Sequence, residues 1–365
     1  IHHSLSLAIM FEATNAGEVI KDLLFKATEL GVIIRFSPIS KERYLNWVQL
    51  QGRKNRYIVT LLGRQLTPEQ ISAAANIAQK YKLNIEKIAR LTGRVPLQRS
   101  ERPSRSCIEL SIRGTVEDEK QVKADFMNLA DQQGIDIAFQ VESMYRRMRR
   151  LICFDMDSTL IQTEVIDELA ERAGVGEEVK AITESAMRGE IDFSESFKKR
   201  VSLLKGLDES VMKDIAENLP ITEGMTRLIR ILKKSGCKIA ILSGGFTYFG
   251  NYLKEKYGFD YVYANELEIV DGKLTGNYVG DIVDGKRKAE LLRLLAQMEK
   301  VDIRQTVAVG DGANDLPMLG IAGLGIAFHA KPKVKENAKQ SLSTVGLDGI
   351  LYFLGYRDSM LDGEE

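Results

Sequence analysis

Four short polar stretches could do chemistry together, because each follows an apolar run and they occur in a fixed order. Asp155-Met156-Asp157-Ser158-Thr159 follows Leu151–Phe154, and Ser243-Gly244-Gly245 follows Lys238–Leu242. Lys288 sits in Asp284-Gly285-Lys286-Arg287-Lys288, at the head of a predicted helix, and Gly310-Asp311-Gly312-Ala313-Asn314-Asp315 follows Thr306–Val309. These are the parts that phosphoryl transfer needs. A carboxylate can attack phosphorus only when the repulsion between two anions is cancelled, which calls for a divalent cation and a fixed positive side chain. Asp155, Asp157 and Asp311 offer hard oxygens for Mg²⁺, and Lys288 offers a compact point charge. Ser243 and the amides near Gly244 can donate to phosphate oxygens. Asp155 reads as the nucleophile. Asp157, two residues on, reads as the acid that protonates the leaving alkoxide and the base that later activates water.

Taken singly, each stretch has a plainer meaning: a helix cap, a turn, a solvated lysine. Their joint occurrence at successive strand ends favours the chemical reading, since an open α/β sheet binds ligands beyond the carboxyl ends of its strands. The runs Leu151–Phe154, Lys238–Leu242, Thr306–Val309 and Leu324–Ala327 have the length of buried parallel strands. Leu291, Leu294, Leu295 and Met298 form one helical stripe. Met225, Leu228, Ile229 and Leu232 form another, ending at Lys233-Lys234 before Gly236. A mostly helical insertion over 161–220 is a cap candidate.

The first 145 residues read as three βαβ-like units. The first has an extended Leu5–Met10, a helix through Ile20–Leu30 stopping at Gly31, and a strand at Val32–Phe36. The second runs from Tyr57–Leu62 through a helix capped by Thr67 with Pro68 at its first position to Asn84–Ile88. The third runs from Cys107–Arg113 through a helix near 117–134 to Ile135–Val141. Two consecutive units make an α+β sheet of four strands with two helices on one face.

Composition narrows the field. Lys plus Arg equals Asp plus Glu at 51 each, so no global field favours a polyanion, and nucleic acid is not an expected partner. A short basic run at Arg146, Arg147, Arg149 and Arg150 reads as a solvated linker. Three separated cysteines exclude a disulfide framework and suit a reducing cytoplasm, and three histidines, two of them at the start, disfavour a histidine triad or a zinc site. The sequence shows neither a membrane-length apolar stretch nor a signal peptide. Gly323-Leu324-Gly325 lacks a third glycine at dinucleotide spacing, and no Walker-type run occurs.

The four ordered motifs resemble those of the haloacid dehalogenase (HAD) superfamily over 150–365, which implies a doubly wound parallel, Rossmann-like sheet with a helical cap. Asp155–Leu160 followed by Glu164-Val165-Ile166-Asp167-Glu168, together with Lys199–Gly206, resembles the phosphoserine phosphatases in particular. That resemblance implies Mg²⁺, an aspartyl-phosphate intermediate and hydrolysis of O-phospho-L-serine in L-serine biosynthesis. Glu164 and Arg200 would contact the amino-acid end, Met187 and Phe193 would cover the site, and Ser243, Gly244, Lys288 and Asn314 would hold the phosphate or its neighbours. Another small phosphomonoester, or a serine sensor with a residual site, stays open as an alternative. The first 145 residues resemble ACT domains of ferredoxin-like fold, with 57–145 as one complete module and 1–47 as part of another whose upstream residues are expected to be missing. This second resemblance implies a homodimer and a serine effector at the ACT-like modules.

Overall fold

Alternation decides the first sheet of the computed structural model, which describes residues 11–45, 55–93, 105–188 and 190–361. The chain divides into two compact units, Ile1–Lys54 and Asn55–Glu365. In the first, helix α1 (Ala16–Leu30) ends at Gly31, whose φ of 65° closes the last turn in the left-handed region. The strand expected at Val32–Phe36 is not formed: residues 32–40 carry no regular structure, and no partner strand lies beside them among the described residues. Leu5–Met10 lies outside the described residues.

The second unit opens with β1 (Asn55–Gly63), α2 (Pro68–Lys80), β2 (Asn84–Arg90), β3 (Ser106–Gly114), α3 (Glu119–Gln133) and β4 (Asp136–Val141). Thr67 caps α2 reciprocally with Gln70, and Asp118 caps α3. The four strands form an antiparallel sheet in the order β2-β3-β1-β4, the ferredoxin-like arrangement. Tyr57, Val59 and Leu61 alternate onto the helical side and pack with Val122 and Phe126. Leu62, Cys107 and Ala138 belong instead to the core shared with Ile350–Phe353 of the following domain. The sheet's second face is therefore sealed within the chain. Its β4 edge is closed too, because the Gln340 side chain accepts from Phe139 N (3.1 Å) and donates to Phe139 O (2.7 Å).

The larger sheet has seven strands: β5 (Leu151–Phe154), β6 (Lys238–Phe246), β7 (Tyr261–Val270), β8 (Lys273–Val279), β9 (Thr306–Gly310), β10 (Leu324–Phe328) and β11 (Gln340–Leu342). Their order is β11-β10-β9-β5-β6-β7-β8, parallel except for the β7–β8 hairpin. Leu151 and Cys153 face one apolar core and Ile152 and Phe154 the other, so the strand needs no polar face. Each such buried side chain contributes about 1.5–3 kcal/mol.

Between β5 and β6 lie α4 (Val165–Ala173), α5 (Gly176–Met187), α6 (Phe193–Leu203), α7 (Ser210–Glu217) and α8 (Met225–Lys234). The first four form the helical insertion. Its two connecting segments are zipped together by an antiparallel bridge Ile161–Ile221, with Gln162 N donating to Pro220 O (2.8 Å) and Thr222 N to Leu160 O (3.0 Å). After β6 come α9 (Thr247–Tyr257), then α10 (Gly285–Met298) behind the hairpin, and α11 (Leu316–Ile321) after β9. Among the described residues no helix is long and apolar enough to cross a membrane.

The basic run before β5 is a solvated linker only in part: Arg147 and Arg150 are exposed, but the other two are not. Arg146 is buried and pairs with buried Glu109 at 2.8 Å, and Arg149 donates to the backbone oxygens of Arg304 and Thr306. The partner of Arg146 stands 37 residues upstream, on β3, which a local charge pattern does not reveal.

Candidate active site

Asp155 is the first residue past β5, and its carboxylate accepts its neighbour Met156 N at 2.8 Å. The chain then makes one π-type turn over Met156–Leu160. Ser158 takes φ 55°, a left-handed conformation costing a serine about 1 kcal/mol or more. Its hydroxyl donates to Glu164 Oε1 at 2.7 Å. Wide turns of this kind concentrate at functional sites. This one sends Asp155 and Asp157 to different neighbours: Asp157 Oδ1 accepts Val165 N (3.2 Å) at the start of α4, while Thr159 Oγ1 donates to Asp311 Oδ1 (3.2 Å).

Lys288 is fully buried in the first turn of α10, whose start is fixed by Asp284 accepting Arg287 N at 2.8 Å. Its Nζ lies 2.9 Å from Asp155 Oδ2 and 2.8 Å from Asp315 Oδ1. Burial alone would lower its pKa, but the two carboxylates more than reverse this and raise it, so it stays charged. One ammonium thus faces three acids. Asp155, Asp311 and Asp315 each bring a carboxylate oxygen within 4.8 Å of the others. Burial first, then Asp155 and Glu164, push Asp311 up to about 7. Asp315 is raised as well, by burial and by Asp155, with Lys288 offsetting only part.

This excess of hard negative oxygens fits a divalent cation. Two acids of the set expected from sequence, Asp155 and Asp311, stand in this trio together with Asp315, while the Asp157 carboxylate accepts Val165 N at the start of α4. The second Asp of Gly310-Asp311-Gly312-Ala313-Asn314-Asp315 was the available signal for Asp315. Asp315 also accepts Gly312 N at 3.0 Å, and a Cβ at Gly310 would overlap its carboxylate, so the loop's glycines let this acid fold back under the site.

Ser243 falls in a bulge of β6, where the register with β7 shifts between Leu242 and Phe246. Its hydroxyl oxygen accepts Gly245 N at 2.9 Å, which leaves its proton for a ligand. A Cβ at Gly245 would overlap the Asp157 carboxylate, so only glycine allows this approach. Buried Asn265 on β7 donates to Gly244 O (2.7 Å) and accepts Val283 N (2.8 Å), tying the bulge to the segment leading into α10. No motif marks Asn265 in the sequence. Asn314 lies on the turn between Asp311 and Asp315, its backbone oxygen against Gly285 at the head of α10.

From the insertion, Phe193 reaches over Gly244, its ring 3.0 Å from where a Cβ there would stand, and stacks near Phe197 with centroids 6.3 Å apart. Glu164 is the residue before α4, and burial followed by Asp155 raises it. Arg200 on α6 is lowered by burial, which Glu164, Asp167 and Asp157 partly offset, and its buried Nε has no hydrogen-bond partner. The side chain of Met187 lies outside the described residues. Burial, Glu164 and Asp155 also raise Asp157 well above the usual carboxylate range.

A parallel sheet with an acid-bearing turn after β5, a lysine on two acids and a helical cap defines the class: a haloacid dehalogenase-like hydrolase. The family model of that description matches residues 152–320, and an ACT domain model matches 56–140. A phosphoserine phosphatase of Streptomyces coelicolor is 44% identical over 300 residues, covering 82% of this chain and 70% of the relative. One from Archaeoglobus fulgidus is 47% identical over 243 residues, covering 67% and 70%. Among solved structures, a probable phosphoserine phosphatase of Vibrio cholerae, unliganded, superposes with TM-score 0.63 at 38% identity over 82% of this chain and 86% of that one. A substrate-bound phosphoserine phosphatase complex does so with TM-score 0.54 at 46% identity, over 56% and 98%. The chain belongs to the phosphoserine phosphatase family, and carries an ACT domain ahead of the hydrolase domain.

Proposed function

We propose that this enzyme hydrolyses O-phospho-L-serine to L-serine and phosphate through an aspartyl-phosphate on Asp155. The observation that carries the reading is Asp155 itself: a carboxylate at a strand end, held by a fully buried lysine and facing two further acids. Asp155, Asp157 and Asp311 are the residues that would hold Mg²⁺, with the Asp315 carboxylate beside them, and the cation's charge would let an anionic oxygen approach an anionic phosphate. Asp155 attacks phosphorus as the bond to the serine oxygen breaks. Asp157, whose protonated form burial and its acidic neighbours favour, gives a proton to that oxygen. The resulting Asp157 carboxylate takes a proton from water as the water oxygen attacks the acyl-phosphate, which frees Asp155 and phosphate. Ser243 donates to the phosphoryl oxygens.

For the amino-acid end, Arg200 offers its fork to the substrate carboxylate and Glu164 an anion to the ammonium. The unpartnered buried Nε of Arg200 supports this. Phe193, lying over Gly244, covers the phosphoryl group and keeps bulk water out. Asn314 supports the phosphate loop. We place the enzyme in the cytoplasm, in L-serine synthesis, as a homodimer that serine binds at its ACT-like modules. Three buried free cysteines suit a reducing compartment.

The test is specificity constants across phosphoserine, phosphothreonine and a sugar phosphate, with and without Mg²⁺. Phosphoserine should lead, and only with the metal. A better ester elsewhere in the panel sinks the substrate reading. Asp155→Asn should drop turnover by about a thousandfold or more with its circular dichroism unchanged. Near-normal turnover would exclude Asp155 as nucleophile. Light scattering with and without serine tests the dimer and the effector.

A further inference from the structure

The segment through which the cap returns to the hydrolase domain is gripped from the ACT domain. Glu223 follows directly on Thr222, the residue whose N–H zips the returning chain to Leu160. Its carboxylate is held by Arg64, from the turn after β1, in a two-pronged pair: Nη1 to Oε1 at 2.7 Å and Nη2 to Oε2 at 2.6 Å. Parallel contacts of this kind fix direction as well as distance. The Glu223 backbone oxygen accepts Leu347 N at 2.8 Å, so the residue is pinned at both ends.

Next in line, Gly224 takes φ 78° and passes so close to buried Asp348 that a Cβ would overlap it. Asp348 receives Arg227 from α8 at 3.0 Å and Arg105 from the residue before β3. Two arginines of the ACT domain therefore meet the two acids that flank the cap's return. In this arrangement the cap lies over the site, with Phe193 against Gly244.

We infer that Arg64 is a positioning residue for the phosphatase: through Glu223 it holds the return segment of the cap hinge in the geometry of the closed cap. The inference rests on the substrate reading above only where its kinetic arm uses phosphoserine. A cap that closes less readily lowers the fraction of enzyme competent to bind, which raises KM without touching the chemistry of the closed complex. The pair is about 40% and 42% exposed, so its removal should spare the fold.

The experiment uses the full chain with Arg64→Ala, the charge-swapped Arg64→Glu/Glu223→Arg, and Lys80→Ala, which cuts another exposed ion pair of the same domain. For Arg64→Ala, KM for phosphoserine should rise about two- to fivefold with kcat kept, the size of change an exposed pair can supply. KM for an aryl phosphate, which lacks the ammonium and carboxylate that Glu164 and Arg200 would grip, should rise less than KM for phosphoserine. Amide hydrogen exchange at Gln162 and Thr222 should quicken by a similar factor while β1 and β3 stay protected. The swapped pair should restore both KM for phosphoserine and exchange at Gln162 and Thr222, and Lys80→Ala should change neither. Unchanged KM and exchange in Arg64→Ala, equal losses on both esters, or a swap that rescues nothing would each overturn the inference. If the parent enzyme ignores phosphoserine, the substrate reading fails, and exchange at Gln162 and Thr222 still decides the hinge.

Discussion

Consider Asp311→Asn in enzyme stripped of metal by chelation. An unfolded aspartate loses its proton near pH 4, whereas folded Asp311 keeps it up to about 7. Across that window the folded state binds more protons than the unfolded one, so stability falls as pH rises, opposite to a salt-bridged carboxylate. Roughly three pH units at about 1.4 kcal/mol each give on the order of 4 kcal/mol, which screening through the site's mouth trims to about 2–4 kcal/mol. Asparagine carries no charge and still offers an oxygen to Thr159, so it should recover most of that loss. Urea unfolding in chelator at pH 8 should therefore find Asp311→Asn more stable than the parent by about 2–4 kcal/mol. At pH 5 the gap should shrink to about 1 kcal/mol or less. Added Mg²⁺ should stabilise the parent and do little for the variant, whose turnover is lost. A variant equal to or weaker than the parent at pH 8 in chelator would refute the claim that these acids repel one another in the folded protein.

Three further outcomes are expected. Gly245→Ala must displace the Asp157 carboxylate, and kcat should fall by about a hundredfold, the usual worth of a positioned acid–base group, with little change in melting temperature. Arg200→Lys keeps the charge but loses the fork, so KM for phosphoserine should rise about tenfold or more while an aryl phosphate is hydrolysed as before. Arg146→Met strands the buried Glu109 carboxylate and should cost about 3–5 kcal/mol in chemical unfolding, and adding Glu109→Leu should return most of it.

How much of this could be read from the sequence depended on whether the cause was local. Strands β5, β9 and β10 are legible because both their faces are buried, which shows as short unbroken apolar runs. The ACT domain is legible from alternation and from the Thr67-Pro68 helix start. Asp155, Lys288 and Asp311 declare themselves by order along the chain. Asp315 does not, because an acid before a helix usually caps it, and only the fold turns it back beneath Lys288. Asn265 was invisible: it stands on β7, in a hairpin whose Asp271-Gly272 turn, both residues at positive φ, carries the one local signal. Arg146 looked like a solvated charge because its partner is distant. The strand expected at Val32–Phe36 has an extended-looking composition and no neighbour to pair with among the described residues.

The sealed back face of the small sheet has a consequence for how this enzyme can evolve and be engineered. Leu62, Cys107 and Ala138 share one core with Ile350–Phe353, and Gln340 finishes the β4 edge. A cut in the stretch between Val141 and Leu151 would leave each half with a raw apolar wall, prone to clump. The small domain is thus a structural wall of the catalyst rather than a detachable accessory. Transplanting it onto another hydrolase would require carrying the carboxyl-terminal segment along with it.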